Sequence, residues 1–455
     1  MARHRSNAFM APLGALIARM RGSMLISGAA VSMAVRVAGM AIGFGSHILL
    51  SRLLGASDYG SYVIALGWVM ILAVVARLGL DNVALRFATN YREEGRASDF
   101  RGFKRFSLLS ILAVSCLIAM VGFAAKLLGL PWLDNVSFAM LAWTASLTAA
   151  LAFLGWYAVL LRTAHQIFLA QAYEQLLRPA LLVAAVGLVL LAGIKLSATG
   201  AMALTFATAL AALVGIVLHS RRYFVAMRGD DMLFTEGREW LAMGWVLLMM
   251  AICQEAVNQF EIILLGLLAR STDAAHFSAP ARLASFVPFA LAAIVSVSGP
   301  MIASAHRRSD QAALARIAKI SARFALIFAV AIAVVLIVFG RWMLAALGPS
   351  FVVAYPALLV LLIGGLVNAA TGAVGYFLAL TANHVTALRI LLGALILSLV
   401  ANAILIPSLG IMGGAIASTA VVSYWNLAMI WSVRRRLGID ASAIGLSPRR
   451  PETQT

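Results

Sequence analysis

Acidic residues and cysteines are scarce in this sequence. Of its 455 residues, 17 are Asp or Glu, against 35 Lys and Arg, and charged residues make up 11% of the chain. The two cysteines, Cys116 and Cys253, lie apart in apolar runs, which argues against a disulfide framework and a cysteine-rich metal site. So little charge excludes an ordinary soluble protein, in which about a quarter of the residues are charged.

Apolar residues dominate instead. Hydrophobic residues make up 63% of the chain and its mean hydropathy is +0.97, which is typical of a protein that crosses a membrane many times. The net charge of +18 would suggest nucleic acid in a soluble chain. Here most Lys and Arg fall in short segments between apolar runs, where they set membrane topology, so nucleic acid is excluded as a partner.

The apolar runs predict an all-α polytopic protein with about twelve transmembrane helices, since each is long enough to cross about 30 Å of hydrocarbon. They lie at 24–53, 59–80, 106–128, 135–161, 176–194, 198–219, 240–268, 279–303, 318–340, 355–380, 385–406 and 409–433. With the N-terminus inside, most basic residues fall on the inward segments, which predicts that both termini are cytoplasmic.

An internal repeat divides the chain. A shift of about 215 residues lays Leu53 on Leu268 and Asp58 on Asp273, and a similar shift lays Gly200 on Gly413. These matches predict two six-helix lobes related by a parallel pseudo-twofold axis along the membrane normal. The expected segments are a cytoplasmic N-terminal segment 1–23, an N-lobe 24–220, a cytoplasmic linker 221–239, a C-lobe 240–434 and a cytoplasmic tail 435–455.

The first predicted span contains one deep charge. A rise of about 1.5 Å per residue puts Arg36 near the bilayer centre, and Ser32, Gly39, Gly43 and His47 fall on the same side of the helix. One interpretation is a small-residue packing seam in which Arg36 snorkels or pairs with a neighbouring helix. The other, which we prefer, is a stripe facing a wet cavity in which Arg36 binds an anion.

Two further spans carry polar side chains. The seventh has a polar face of Gln254, Glu255, Asn258, Gln259 and Glu261, and the tenth has a weaker one that includes Asn368. The seventh-span face can line a cavity, form an interhelical hydrogen-bond seam, or supply Glu255 as the ion-pair partner of Arg36. Glu174 and Arg178 are four residues apart and predict an ordinary helical ion pair.

No enzyme signature is present in the sequence. It has no Gly-rich phosphate loop, no paired His at metal spacing and no G-x-S-x-G elbow, so no catalytic residue, metal ligand or resident cofactor is expected. Membrane glycosyltransferases and polysaccharide polymerases are also polytopic and basic, and they stay open as an alternative. They would carry their reacting groups on a sizeable outward loop, which this sequence does not predict.

Several short motifs resemble one family. The stretch 36–39 (RVAG) followed by 49–60 (LLSRLLGASDYG) is similar to the opening of polysaccharide-repeat-unit flippases in the multidrug/oligosaccharidyl-lipid/polysaccharide exporter superfamily. The stretches 79–87 and 261–282 resemble that family's second-span exit and its hairpin between the seventh and eighth spans.

The resemblance implies a two-lobed transporter of the bacterial cytoplasmic (inner) membrane, acting in O-antigen, lipopolysaccharide or exopolysaccharide synthesis. Its substrate would be an undecaprenyl-diphosphate-linked oligosaccharide, moved from the inner to the outer leaflet by alternating access. Arg36 matches a first-span arginine that contacts the diphosphate in the related lipid II flippases, and Glu261 matches a position that is often acidic.

The resemblance also implies partners and an energy source. Membrane lipids and other polysaccharide-assembly proteins are the expected partners, and a proton or sodium gradient acting through Glu255 and Glu261 is the expected coupling. The substrate side chains would be Arg36, Ser32, His47, Glu255, Asn258, Gln259 and Asn368. An organic-cation antiporter of the same fold, and a lipid II flippase, stay open as alternatives. An antiporter would use Glu255 and Glu261 as the centre of its site.

Overall fold

The described part of the protein is built from helices, and no strand occurs in it. The computed structural model describes residues 7–134, 136–227, 229, 231–233, 236–308, 310–372, 374, 384–437 and 442–443, with side chains from residue 33 onward except at a few positions in 290–307, at 384 and at 436–437. The α-helices are α1 (Asn7–Ala76), α2 (Leu80–Glu93), α3 (Ala97–Leu127), α4 (Phe138–Thr163), α5 (Ile167–Gln171), α6 (Arg178–Leu191), α7 (Ala198–Ser220), α8 (Gly237–Leu268), α9 (Ser271–Ala284), α10 (Phe286–Arg307), α11 (Gln311–Leu347), α12 (Tyr355–Thr371), α13 (His384–Leu409) and α14 (Ile411–Leu437). A π-helical segment, Ala172–Leu177, joins α5 to α6 and is called the π segment below.

Ten helices of the described residues are long and apolar enough to cross a membrane, judged by length and composition. The difference from the twelve predicted spans has two local causes. One of the ten, Met33–Ala76, is 44 residues long and contains most of both predicted spans 24–53 and 59–80, which are therefore counted as one helix. The predicted span 279–303 falls across the boundary between α9 and α10, so neither helix contains all of it.

A kink in α1 separates its two spans. At Gly55 the backbone has φ 71° and ψ 172°, which no residue of a regular helix adopts. Glycine takes a positive φ without steric cost, because it has no Cβ. Gly55 falls in the gap between the predicted spans 24–53 and 59–80, and the helix continues on both sides of it.

Side-chain caps fix the start of several helices. Ser137 accepts a hydrogen bond from the backbone N–H of Met140 at the start of α4, and Asp310 accepts one from Ala313 at the start of α11. Each cap satisfies a backbone donor that has no partner inside its own helix. Both helices therefore begin at defined residues.

Helices α1 and α8 lie where the two halves of the chain meet. In the first half, α1 packs against α4 and α6, and α4 packs against α7. In the second half, α10 packs against α11, and α14 packs against α12 and α13. Helix α1 also packs along α8 and α9, and α8 packs along α13, so side chains of α1 that point inward face the second half. The lobe boundaries at residues 220 and 240 stay a prediction.

Contacts outside the predicted spans fasten the linker to the first half. Arg96 of the loop before α3 forms an ion pair with Glu236, at 3.1 Å between Nη2 and Oε1, and the Tyr91 hydroxyl donates a hydrogen bond to the same carboxylate. Burial and the hydrogen bond to Glu236 raise the pKa of Tyr91, so its hydroxyl keeps its proton and remains a donor. The start of α8 is thereby held against α2 and α3.

Candidate functional site

A cavity of about 300 Å³ lies between the two halves of the protein. It is bounded by α1, by the π segment and the start of α6, and by the end of α9 with the start of α10. The described residues that line it are Arg36, Gly39, Met40, Gly43, Phe44, His47, Glu174, Gln175, Arg178, Pro179, Arg282, Ser285 and Phe286. Along α1 the lining runs from Arg36 to His47, a length of about 16 Å at 1.5 Å per residue.

The two glycines of the predicted stripe on α1 have different surroundings. A Cβ placed on Gly39 would lie 2.1 Å from the carbonyl oxygen of Gln175, so this glycine lets α1 pack directly against the backbone of the π segment. A Cβ placed on Gly43 would have no heavy atom within 4 Å. The stripe therefore combines the two interpretations offered by the sequence, since Gly39 is a packing position and Gly43 faces open space.

The π segment directs Glu174 towards α4 and away from its expected partner. In an α-helix residues four apart lie on one face, but in a π-helix the hydrogen bonds run from residue i to i+5 and this alignment is lost. The predicted Glu174–Arg178 ion pair is accordingly wrong: Glu174 pairs with Arg162 of α4. Arg178 is left facing the cavity.

Three arginines make the cavity strongly cationic. Arg36 comes from α1, Arg178 from the start of α6 and Arg282 from α9, and all three are partly buried. Among the described residues, no carboxylate lies within 4 Å of any of these guanidinium groups. The Nε of Arg282 is buried and has no hydrogen-bond partner in the described structure. Guanidinium groups without acidic partners are suited to bind an anion with several oxygens.

The end of the cavity nearest His47 is closed by polar and aromatic contacts. The Tyr59 hydroxyl lies 3.1 Å from Nδ1 of His47, and the Tyr62 hydroxyl lies 3.1 Å from Oγ1 of Thr205. The ring of Tyr59 also meets Phe351 edge to face, with 5.9 Å between the ring centroids. Tyr62 thus contacts α7, and Tyr59 contacts the segment that follows α11.

Backbone acceptors at the end of α11 complete this closure. Ser51 Oγ donates a hydrogen bond to the carbonyl oxygen of Leu347 at 2.9 Å, and Arg52 Nε donates one to that of Ala346 at 2.7 Å. The last carbonyls of a helix lack partners in their own helix and carry partial negative charge, so a guanidinium there is favourable. We call these two hydrogen bonds the α1–α11 latch. Charge asymmetry predicts that it lies at the outward-facing end.

The polar face of the seventh predicted span lies elsewhere. Nε2 of Gln259 donates a hydrogen bond to Oε1 of Glu255 at 2.8 Å, and the Gln259 side chain lies close to Gly67 of α1. Asn258 is exposed. None of these three is among the described residues that line the cavity, and among the described ion pairs none joins Glu255 to Arg36.

Two other candidates lie deeper in the second half. Glu261 is 3% exposed, its Oε1 has no hydrogen-bond partner among the described residues, and Ser418 of α14 is a side-chain hydrogen-bonding neighbour. Asn368 is partly buried on α12, and its carbonyl oxygen accepts a hydrogen bond from Thr371. Both are separate from the cavity lining, and the side chain of Ser32 lies outside the described residues.

Sequence reasoning identified Arg36 and His47 as site residues but did not identify Arg178, Arg282 or Glu174. A signal for Arg282 was present, because it lies inside the predicted span 279–303 and the cost of burying a charge applies to it as it does to Arg36. Arg178 was assigned to an ordinary ion pair, and only the π segment shows otherwise. Within the described residues, no group of three or more His, Cys, Asp or Glu is placed to hold a metal ion.

Solved structures share this fold across most of their length. An inward-facing multidrug resistance MATE family transporter of the MOP superfamily is 13% identical, with a TM-score of 0.67 over 89% of this chain and 97% of the other. The lipid II flippase MurJ in an inward closed conformation is 12% identical, with a TM-score of 0.68 over 89% of this chain and 87% of the other. A MOP superfamily transporter from Pyrococcus furiosus is 14% identical, with a TM-score of 0.60 over 88% and 94%.

These likenesses establish an all-helical fold of the kind found in MATE transporters and MurJ, as the sequence predicted. No curated protein matches the sequence significantly. A family model described as polysaccharide biosynthesis protein matches residues 25–306, which include most of α1, the π segment and every described residue that lines the cavity. The chain therefore belongs to this family of polysaccharide biosynthesis proteins.

Proposed function

We propose that this protein is a flippase that moves an oligosaccharide linked to undecaprenyl diphosphate from the inner to the outer leaflet of a bacterial cytoplasmic membrane. The observation that carries the proposal is the convergence of Arg36, Arg178 and Arg282 on one cavity between the two halves. Family membership supports a cargo used in polysaccharide synthesis, and the transporter fold supports movement across the membrane.

A diphosphate fits the chemistry of the cavity. It brings at least two negative charges and several acceptor oxygens, and guanidinium groups bind phosphate oxygens bidentately through paired N–H donors. Charges buried in a membrane are costly unless they are paired. Arginines that lack acidic partners therefore find theirs in the ligand, and the lipid chain stays in the bilayer.

The size of the cavity limits how much of the substrate it holds. A volume of about 300 Å³ is at the lower end of small-molecule sites. It can hold the diphosphate with an adjoining sugar, but an entire repeat unit must extend beyond it. The remaining sugars would require the two halves to separate further, as alternating access provides.

Alternating access assigns a role to the α1–α11 latch. With the latch formed, the end of the cavity near His47 is closed, so the substrate enters from the other end. Release on the opposite side requires the hydrogen bonds from Ser51 and Arg52 to break and the aromatic contacts of Tyr59 to separate. A latch of two hydrogen bonds on a helix end is weak enough to open in each cycle.

Ion coupling is part of the proposal. Glu261 is a buried carboxyl with an unpartnered oxygen, and a proton or a sodium ion is the smallest cation that could satisfy it. Glu255 is the second proposed coupling residue, and both stand apart from the arginine cavity. We also propose cytoplasmic termini, and contacts with membrane lipids and other polysaccharide-assembly proteins.

An organic-cation antiporter is the competing function, and the cavity disfavours it. Three unpaired arginines repel a cation, and the single lining carboxylate, Glu174, is already paired with Arg162. A lipid II flippase is chemically closer, since its cargo also carries a diphosphate. The glycan attached to the diphosphate distinguishes the cargo of a lipid II flippase from that of the proposed flippase.

Reconstitution of the purified protein in liposomes tests the proposal. We expect transfer of fluorescent undecaprenyl-diphosphate oligosaccharide between leaflets, inhibition by unlabelled undecaprenyl diphosphate, and little inhibition by undecaprenol. Transport of an organic cation without any effect of undecaprenyl diphosphate would overturn the proposal. Equal transfer of lipid II and of the oligosaccharide lipid would mean that the protein recognises the diphosphate and does not select the glycan.

A further inference from the structure

One carboxylate faces the cationic cavity. Of the described residues that line the cavity, Glu174 alone is acidic, and it is held from behind by Arg162 of α4, which does not line the cavity. Arg178, which does, is among the charged groups that act electrostatically on Glu174. Glu174 thus lines the cavity, is paired with an arginine outside the lining, and acts electrostatically on an arginine within the lining.

We propose that Glu174 is a release residue: it weakens the hold of Arg178 on the bound diphosphate, so that the substrate can leave. This inference rests on the proposed function, because it assumes a diphosphate in the arginine cavity. Glu174 does not contact the ligand as a binding group. It is a positioning residue that sets how strongly the neighbouring arginine binds.

A carrier with three unpaired arginines otherwise holds its cargo too tightly. Each guanidinium bound to phosphate in a poorly solvated site is a strong interaction, and transport requires binding that is favourable enough for entry and weak enough for exit. A negative charge beside the site opposes an anionic ligand in proportion to the ligand's charge. Glu174 has the required sign and position.

The π segment is the device that keeps this carboxylate partly withdrawn. If 172–178 were a regular α-helix, Glu174 and Arg178 would lie on one face and neutralise each other, which would remove one of the three cavity arginines. The π spacing instead gives Glu174 to Arg162 and leaves Arg178 facing the cavity. Gly39 makes room for the displaced carbonyl of Gln175. Irregular π turns are frequent at functional sites.

Two variants that each remove one charge test the inference, because they should change the affinity for a diphosphate in opposite directions. Glu174→Gln removes the negative charge and keeps a hydrogen-bond acceptor for Arg162, so farnesyl diphosphate should bind about tenfold more tightly while flipping slows. Arg162→Gln frees Glu174 to approach Arg178, so the same ligand should bind about tenfold more weakly. The double variant should resemble Glu174→Gln. If the pair were only structural, both single variants would weaken binding together.

Ligand charge and a matched carboxylate provide the controls. Glu174→Gln should tighten farnesyl diphosphate more than farnesyl phosphate, and added salt should reduce the difference. Asp99→Asn removes a buried carboxylate that pairs with Arg96 at 3.1 Å, is absent from the cavity lining and is not among the charged groups that act on Glu174, so it should change affinity far less. Equal tightening in both variants, or no tightening in Glu174→Gln, overturns the inference. Failure of the wild-type protein to bind any diphosphate would instead overturn the proposed function.

Discussion

Glu174 in the first half and Glu261 in the second are two buried carboxyl groups with different partners. Glu174 lines the cavity and is paired with an arginine of the protein itself. Glu261 is 3% exposed and, among the described residues, has no basic partner and one oxygen without any partner. The carboxyl of the first half therefore has a basic partner within the protein and that of the second half does not, which is the contrast on which the proposed anion site and the proposed coupling site rest.

A second buried polar residue of the second half extends this contrast. Asn402 lies on α13, which packs along α8; it is fully buried, and its Oδ1 has no hydrogen-bond partner among the described residues. Its amide nitrogen donates to Ser398. Buried acceptor oxygens without donors, such as Oε1 of Glu261 and Oδ1 of Asn402, are energetically costly. A proton or a hard cation bound to them would reduce that cost.

The largest expected effect is on diphosphate binding by the three arginines of the cavity. Replacing Arg36, Arg178 or Arg282 individually with Ala should weaken diphosphate binding about 10- to 100-fold, since a hydrogen bond to a charged group contributes about 1.5–3 kcal/mol. Lys at each position should retain part of the binding, because it keeps the charge and loses the bidentate geometry. Isothermal titration of detergent-purified protein with farnesyl diphosphate measures this.

A control variant separates substrate binding from pairing with Glu255. Glu255 is hydrogen-bonded to Gln259 and does not pair with Arg36 in this structure. The double variant Arg36→Ala with Glu255→Ala should therefore be no better than Arg36→Ala. Rescue in the double variant would mean that Arg36 holds the halves together and would remove it from the anion site.

The next largest effect concerns Glu261 and the response of transport to an ion gradient. Glu261→Gln should reduce the response of transport to a proton or sodium gradient by about five- to tenfold and leave diphosphate affinity within about twofold, because the carboxyl lies outside the cavity lining. Flipping assays with and without an imposed gradient measure the response. Glu261→Leu should also lower the yield of folded protein; if Gln and Leu behave alike, the residue is a packing position.

A pair of glycines gives a smaller effect on folding. Gly39→Ala places a Cβ 2.1 Å from the carbonyl oxygen of Gln175 and should destabilise the protein by about 1–3 kcal/mol by pushing α1 away from the π segment. Gly43→Ala meets no atom within 4 Å and should be neutral or stabilising by up to about 1 kcal/mol. Thermal unfolding in detergent compares them, and equal melting temperatures would contradict the close contact.

The smallest effect is on the latch. Arg52→Ala removes a hydrogen bond to Ala346 and should shift the equilibrium towards opening near His47 by about 1 kcal/mol, or about fivefold. Labelling of Met40→Cys by an impermeant maleimide, in a background without Cys116 and Cys253, reports the exposure of the cavity from outside. Unchanged labelling in Arg52→Ala and in Ser51→Ala would show that other contacts keep this end closed.

The sequence predicted much of the fold and part of the site. Hydropathy located the helices and the gap between the predicted spans 24–53 and 59–80, where Gly55 lies, and the cost of a buried charge drew attention to Arg36. The sequence also predicted the polar face of α8, but it did not predict whether that face lines a cavity. Glu255 and Gln259 bond to each other beside α1, an outcome that depends on how α8 is rotated against its neighbours.

The sequence alone determined that this is a helical membrane protein with a deep arginine in its first span, because hydropathy and the cost of burying charge are properties of single stretches of chain. Tertiary structure decided which charges meet. Arg178 and Arg282 join Arg36 only because α6 and α9 pack around the same part of α1. Glu174 pairs with Arg162 in the π segment, and α1 packs directly against the backbone of that segment at Gly39.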